Sequence, residues 1–264
     1  APPVAGIVSA EDYLGAPVAL GETLTVSEDP VYIHATGDYT GPEWTLPPGG
    51  YREKPQVELK TDCTAVALNP GVKSAAAAAP VPAAMWSDPA SAPTLRVAYA
   101  RDAGFILEAE VKDTRHMQPH SRERLVEGDS LTFAFDVNKT DEWRANDIWM
   151  NYKGHNCVEY SVALRADGKS EVFRRNCWIP DMRKFESVGA NVRANVRHAN
   201  GVTKYWVWIP WANLGLDEQL KAGAKIGFAA VLYSSDGGEV KTNRLFGGIA
   251  NPLDPMRYGV LELK

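Results

Sequence analysis

The sequence predicts an all-β protein, an antiparallel β-sandwich of jelly-roll type, and three observations carry that expectation. Runs rich in β-branched and aromatic residues recur at fairly regular spacing through the last two-thirds of the chain. Gly, Asn and Asp turn residues separate them, with Asn200-Gly201 the strongest hairpin signal. Only Trp211–Ala222 reads as helical, and it is short.

In order, Thr94–Ala100 and Phe105–Val111 form a hairpin about Asp102–Gly104. Ser130–Val137 alternates, with Leu131, Phe133 and Phe135 on one face. Val158–Leu164 and Glu171–Phe173 flank the turn at Ala166–Lys169, and Val192–His198 and Thr203–Ile209 flank Asn200-Gly201. Ile226–Tyr233 is a further strand, ended by Ser234–Gly238, and Tyr258–Leu263 closes the domain.

The start of the chain differs. Its first 85 residues hold 11 of the 18 prolines, with short strands expected at Thr23–Val26 and Val31–His34 and one more within Gln56–Ala67. The division expected is a β-segment over 1–69, packed on the sandwich or forming the tail of an upstream domain, an Ala/Pro linker over 70–85 and the sandwich over 86–264.

Composition bounds the function. A net charge of −5 argues against a nucleic-acid partner held by phosphate contacts. No run of about 18 apolar residues offers a membrane-spanning helix. Nucleophile elbow, phosphate loop and dinucleotide fingerprint are all missing. Glu108 and Glu110 share a strand face and could mimic paired hydrolase carboxylates, but solvent-facing acids on a half-buried strand are the commoner arrangement. His116 and His120 are four apart, yet Pro119 interrupts a helix that would align them for zinc. Met117, Met150, His155 and His198 have no haem-diagnostic spacing, and no haem is expected. The chain thus reads as non-catalytic, with the enzyme question open for any longer protein that contains it.

Two further features point outward. Of the eight Trp, Trp143 and Trp149 cluster with Tyr152 in a polar stretch without core periodicity, where they could stack on a sugar ring or anchor a loop. Trp206 and Trp208 alternate along one strand and read as sheet-face packing. Asp113, Asp129, Asp136 and Asp141, with Asn138, could supply oxygens to a structural calcium. Cys157 and Cys177 lie symmetrically about the Asp167-Gly168 turn, so a register whose numbers sum to 334 sets them opposite each other. Either they form a disulfide, leaving Cys63 unpaired and the protein extracytoplasmic, or they are buried free thiols. The disulfide is the expectation.

From Trp86 onward the order of pieces is recognisable. Trp86 precedes Leu95–Tyr99, then Phe105–Asp113, Glu127-Gly128-Asp129-Ser130, Ile209-Pro210-Trp211, Ile226-Gly227-Phe228, Asp236-Gly237-Gly238, Arg244 and Asp254-Pro255 before Tyr258–Leu261. The series resembles family 9 carbohydrate-binding modules and the wider sandwich superfamily that includes haem- and sugar-binding DOMON domains. The resemblance implies a β-sandwich that binds polysaccharide or oligosaccharide, as an appendage of a secreted glycoside hydrolase. It also implies two clamping tryptophans, at positions held here by Val126 and most nearly by Phe246, and a Glu at the position of Thr132. The clamp is therefore absent or rebuilt, leaving Trp143, Trp149, Tyr152, Arg244 and Phe246 as candidate sugar-binding residues. The alternatives are a spacer sandwich that has lost its sugar site and a haem-binding electron-transfer domain. Asp12–Val18, Leu24–Val26 and Pro30–Ile33 resemble the closing β-segment of many glycoside hydrolases, which implies an upstream catalytic domain.

Overall fold

The computed structural model describes residues 60–69, 71–101, 103–138, 156–179, 182, 186–189, 191–216, 219–249 and 254–264, and the backbone alone of 7–12 and 31–35. It divides into two compact units, Ala1–Gln56 and Val57–Lys264. In the first, β1 (Ile7–Asp12) pairs antiparallel with β2 (Val31–Ala35), with an irregularity between Ile7 and Ser9. Thr23–Val26 lies outside the described residues.

The second unit is the expected β-sandwich. Its strands are β3 (Cys63–Ala67), β4 (Thr94–Ala100), β5 (Gly104–Lys112), β6 (Ser130–Asp136), β7 (Cys157–Leu164), β8 (Ser170–Cys177) and β9 (Glu186–Ser187), then β10 (Arg193–Ala199), β11 (Val202–Pro210), β12 (Lys225–Ser235), β13 (Val240–Leu245) and β14 (Gly259–Leu263). One sheet runs β10-β11-β5-β4-β3 and the other β3-β14-β12-β6-β7-β8-β9, with β13 also on β12. All pairings are antiparallel except those of β3, which pairs parallel to β14 through Cys63–Ala65 and to β4 through Val66 and Ala67. This one strand crosses between the sheets and joins them along a sandwich edge.

Local chemistry fixes the hairpins. Asn200 and Gly201 both have positive φ, 52° and 72°, as the two-residue β10–β11 turn requires. Gly104 opens β5 at φ 134°, with the Ile209 carbonyl where a Cβ would stand. The expected Trp211–Ala222 helix is instead one 3-10 turn, Trp211–Leu214, closed by Gly215 in the left-handed conformation. The stretch 70–85, read from sequence as a linker, includes Ala75 and Ala78, buried against Ala98 and Ile106 with Trp206 and Trp208 packed beside them. Trp206 Nε1 donates to the Lys73 carbonyl at 2.7 Å, so both tryptophans lie on the sheet face as their alternation predicts.

The inner faces supply the core. Leu131, Phe133 and Phe135 of β6 meet Phe105, Phe228 and Tyr160, with the Phe105 and Phe135 rings stacked at 4.9 Å. Each such side chain contributes about 1.5–3 kcal/mol on burial.

The disulfide is not formed: Cys63, Cys157 and Cys177 are free and buried. The register that sums to 334 holds from Leu164↔Ser170 to Tyr160↔Arg174, and then slips. A bulge at Arg175 makes the next pairs Glu159↔Asn176 and Val158↔Cys177. One extra residue turns every later side chain of β8 to the other face. Cys177 therefore enters the inner core, while Cys157 faces outward, its Sγ 3.2 Å from Tyr258 Oη. The argument for an extracytoplasmic setting from cysteine pairing falls with the bond.

Two predictions follow from these contacts. Burial, aided by Asp62, pushes the Cys63 thiol up to about 12, and burial raises Cys157 and Cys177 as well. Few thiolates then exist at pH 8. Native protein should resist alkylation there, and denaturation without reductant should release all three thiols to the reagent, counted by intact mass. Gly104→Ala should cost at least about 2 kcal/mol, read as a lower denaturation midpoint at unchanged slope.

Candidate functional site: the outer face of the β13–β12–β6–β7 sheet

The register constructs this face row by row. Arg244, Val231, Thr132 and Ser161 lie side by side across β13, β12, β6 and β7, and Ala229, Ala134 and Glu159 form the next row. Tyr233 and Ser130 pair towards one end, and Gly227, Asp136 and Cys157 align towards the other. Small residues at the centre keep the floor low, and the Thr132 and Ser161 hydroxyls bond each other there at 2.6 Å. Tyr233, Tyr258 and Ile249 are buried around the floor, with Val126, Trp178 and Phe246 partly buried against the same cluster.

Polar groups lie beneath these rings. Glu159 is 1% exposed, and its Oε1 is 3.1 Å from Arg175 Nε, an ion pair that persists across the bulge that parted the cysteines. Arg175 Nη1 and Ser130 Oγ are buried with no hydrogen-bond partner among the described residues. Buried polar atoms in native proteins are nearly always satisfied, most often by protein groups or ordered water. Burial raises the Tyr233 phenol, and neighbouring Arg175 and Arg244 draw it back.

Phe246 stands at the rim with φ 64°, a conformation bulky residues rarely adopt. Gly259 accommodates it, because a Cβ at 259 would fall inside the Phe246 ring. Arg244 is exposed, its backbone tied to Ser87 by Arg244 N to Ser87 Oγ at 2.9 Å and Ser87 N to Arg244 O at 2.8 Å. The structure thus gathers Arg244, Phe246, Val126 and Thr132 on one face. Trp143, Trp149, Tyr152, Asp141 and the haem candidates Met150 and His155 lie outside the described residues. Glu159, Arg175, Trp178, Tyr233 and Tyr258 were not singled out from sequence. Alternation in Ile226–Tyr233 could have given Tyr233, and the register that sums to 334 could have set Arg175 opposite Glu159.

The acidic residues grouped as calcium ligands separate. Asp136 closes β6, its Oδ1 accepting from Asn138 N, while Asp129 precedes the strand's other end, roughly 20 Å away at strand rise. Asp113 stays with Asp129: His116 Nδ1 is 3.3 Å from Asp113 Oδ2 and 3.8 Å from Asp129 Oδ2. Desolvation raises the Asp129 carboxyl, opposed by the Met117 and Ser235 amides and reinforced by Asp113. His120 instead faces Glu127 at 3.8 Å. On the other sheet, Glu110 meets Lys204 Nζ at 2.9 Å in solvent, and Glu108 lines the same shallow groove with Trp206. No helix among the described residues is long and apolar enough to cross a membrane.

The architecture has solved counterparts. A family 9 carbohydrate-binding module from Caldicellulosiruptor kristjanssonii in complex with glucose superposes with a TM-score of 0.50 and 12% identity, covering 76% of this chain and 94% of that one. The same source's module in complex with cellotriose gives 0.50 at 13% identity, over 76% and 93%. The chain therefore has the fold of family 9 carbohydrate-binding modules, as the series from Trp86 implies. No protein-family model matches the chain, and no curated protein matches it in sequence.

Arg175→Met should leave Glu159 buried beside an apolar side chain and cost about 3 kcal/mol. Adding Glu159→Gln should recover part of that loss, which a double-mutant cycle in urea would read.

Proposed function

We propose that this chain is a carbohydrate-binding module acting through the outer face of β13–β12–β6–β7. The observation that carries the reading is the partly buried Val126, Trp178 and Phe246 packed with Tyr233 and Tyr258 on this outer face, beside the polar atoms of the exposed Arg244. A sugar presents both matching surfaces, hydroxyls for the polar atoms and an apolar ring face for the aromatics. Phe246, whose unfavourable backbone conformation points to a functional constraint, is the stacking ring at the rim. Arg244 beside it hydrogen-bonds sugar hydroxyls at the exposed edge. Trp143, Trp149 and Tyr152 add further stacking surface. The solved modules of this fold hold glucose and cellotriose, which supports a glucose-containing ligand here.

The role fits an accessory of a secreted glycan-degrading enzyme whose catalytic domain lies upstream. Each stacked ring contributes on the order of 1 kcal/mol, so affinity for a short oligosaccharide falls in the micromolar to millimolar range.

Affinity electrophoresis in soluble β-glucans and xylans, followed by calorimetry with cello-oligosaccharides, tests this reading. Wild-type protein should be retarded by at least one polysaccharide. Phe246→Gly, which relaxes the backbone while deleting the ring, should weaken binding at least about fivefold with an unchanged circular dichroism spectrum. Trp143→Ala with Trp149→Ala should weaken it further. Binding untouched by Phe246→Gly would move the site from this face, and no retardation by any glycan would favour a spacer sandwich.

A further inference from the structure

We propose that Asp113, His116 and His198 form a binding site for a zinc-class divalent transition-metal ion that clips the two sheets together at one end of the sandwich. Their donor atoms lie within 4.8 Å of one another. Asp113 Oδ2 is 3.3 Å from His116 Nδ1 and 3.8 Å from His198 Nδ1. Zinc bonds of about 2.0–2.1 Å in a tetrahedron imply donor–donor edges of roughly 3.3 Å. One edge already has that length and a small closure brings in the others.

Two of the three donors, His116 and Asp113, are held by an outer partner. His116 Nε2 donates to the Leu164 carbonyl at 2.7 Å, leaving Nδ1 of the neutral ring as a lone pair aimed at the carboxylates of Asp113 and Asp129. A ring nitrogen bonded to a backbone carbonyl is the usual support of a metal-binding histidine. Arg115 N occupies Asp113 Oδ1 at 3.0 Å, which turns Oδ2 inward. Thr203 Oγ1 donates to Asp113 Oδ2 at 2.8 Å and lies 3.0 Å from His198 Nδ1, filling the centre by hydrogen bonding until an ion displaces it. The two imidazoles stack at 5.7 Å, and the His116 side chain is 9% exposed.

Two acceptor atoms facing each other repel unless a cation lies between them. A proton on Nδ1 can serve, but two imidazoles and a carboxylate converging on one point are also the donor set that zinc, nickel or cobalt selects. Calcium prefers about six to eight oxygens and gains little from imidazole. The topology explains the mechanical consequence. Asp113 follows β5 and His198 lies on β10, both of the first sheet, whereas His116 is tied to Leu164 of β7 and Asp129 leads into β6 of the second. An ion here holds both layers, independently of whether the opposite sheet binds sugar.

The test uses the whole chain stripped with chelator and titrated with Zn2+ against a chromophoric competitor, with Co2+ absorption reporting coordination. One equivalent should bind, and saturating Zn2+ should raise Tm by roughly 5 °C. His198→Asn, at a site with its side chain 24% exposed and so compatible with folding, should weaken binding at least about tenfold. Asp113→Asn should do the same, and His120→Asn should change nothing. Absence of a bound equivalent, affinity retained in a folded His198→Asn, or displacement by an equal concentration of Ca2+ would each overturn the proposal.

Discussion

The sandwich depends on β6 and β12 being buried on both faces. Their pairing, Phe228↔Phe135 to Tyr233↔Ser130, puts Phe133, Phe135 and Phe228 inward and Thr132, Ala134, Ala229 and Val231 outward, all at or below 1% exposure. The alternation is of size rather than polarity. Large inward rings fill the space between the sheets, and small outward residues let Phe246, Trp178 and Tyr258 pack close above. Replacing an outward alanine with anything larger would lift that cover, so the floor and the candidate face are one constraint.

The bulge at Arg175 decides which β8 side chains enter the core. Without it, β8 would continue in the register that sums to 334, with residue 175 opposite Glu159 and Cys177 opposite Cys157, both on the outer face. With it, Asn176 takes the place opposite Glu159 while Arg175 keeps its ion pair with that carboxylate, and Cys177 takes the inner position that parity would otherwise deny it. A single inserted residue thus parts the two cysteines without parting Arg175 from Glu159. Such bulges recur where a side chain must be re-aimed towards a site.

What sequence conveys and what it withholds follow from the range of the interaction. β4, β5 and the β10–β11 hairpin are legible because strand alternation and the Asn200-Gly201 turn act between near neighbours. β3 is less so, since Cys63–Ala67 acquires its meaning only from parallel partners far along the chain. The alanines at 75 and 78 read as linker because their burial depends on Ile106 and on the rings of Trp206 and Trp208. Phe246 is legible through its place in an ordered series of motifs, whereas its positive φ is not, because no glycine or asparagine signals it.

The histidine cluster shows the point most sharply. Read along the chain, His116 invites comparison with His120, and Pro119 rightly discourages it. Read across the sheet, β5 pairs with β11 from Gly104↔Pro210 to Lys112↔Val202, and the Asp113 amide continues the ladder to Gly201 O at 2.9 Å. His198 of β10, opposite Thr203 of β11, is then two strands over from Asp113, with β11 between them. The spacing relevant to metal chemistry is thus set by register, and the two residues that turn the hairpin, Asn200 and Gly201, fix it. A longer turn would shift His198 along the edge and dissolve the cluster while leaving each residue in place in the sequence.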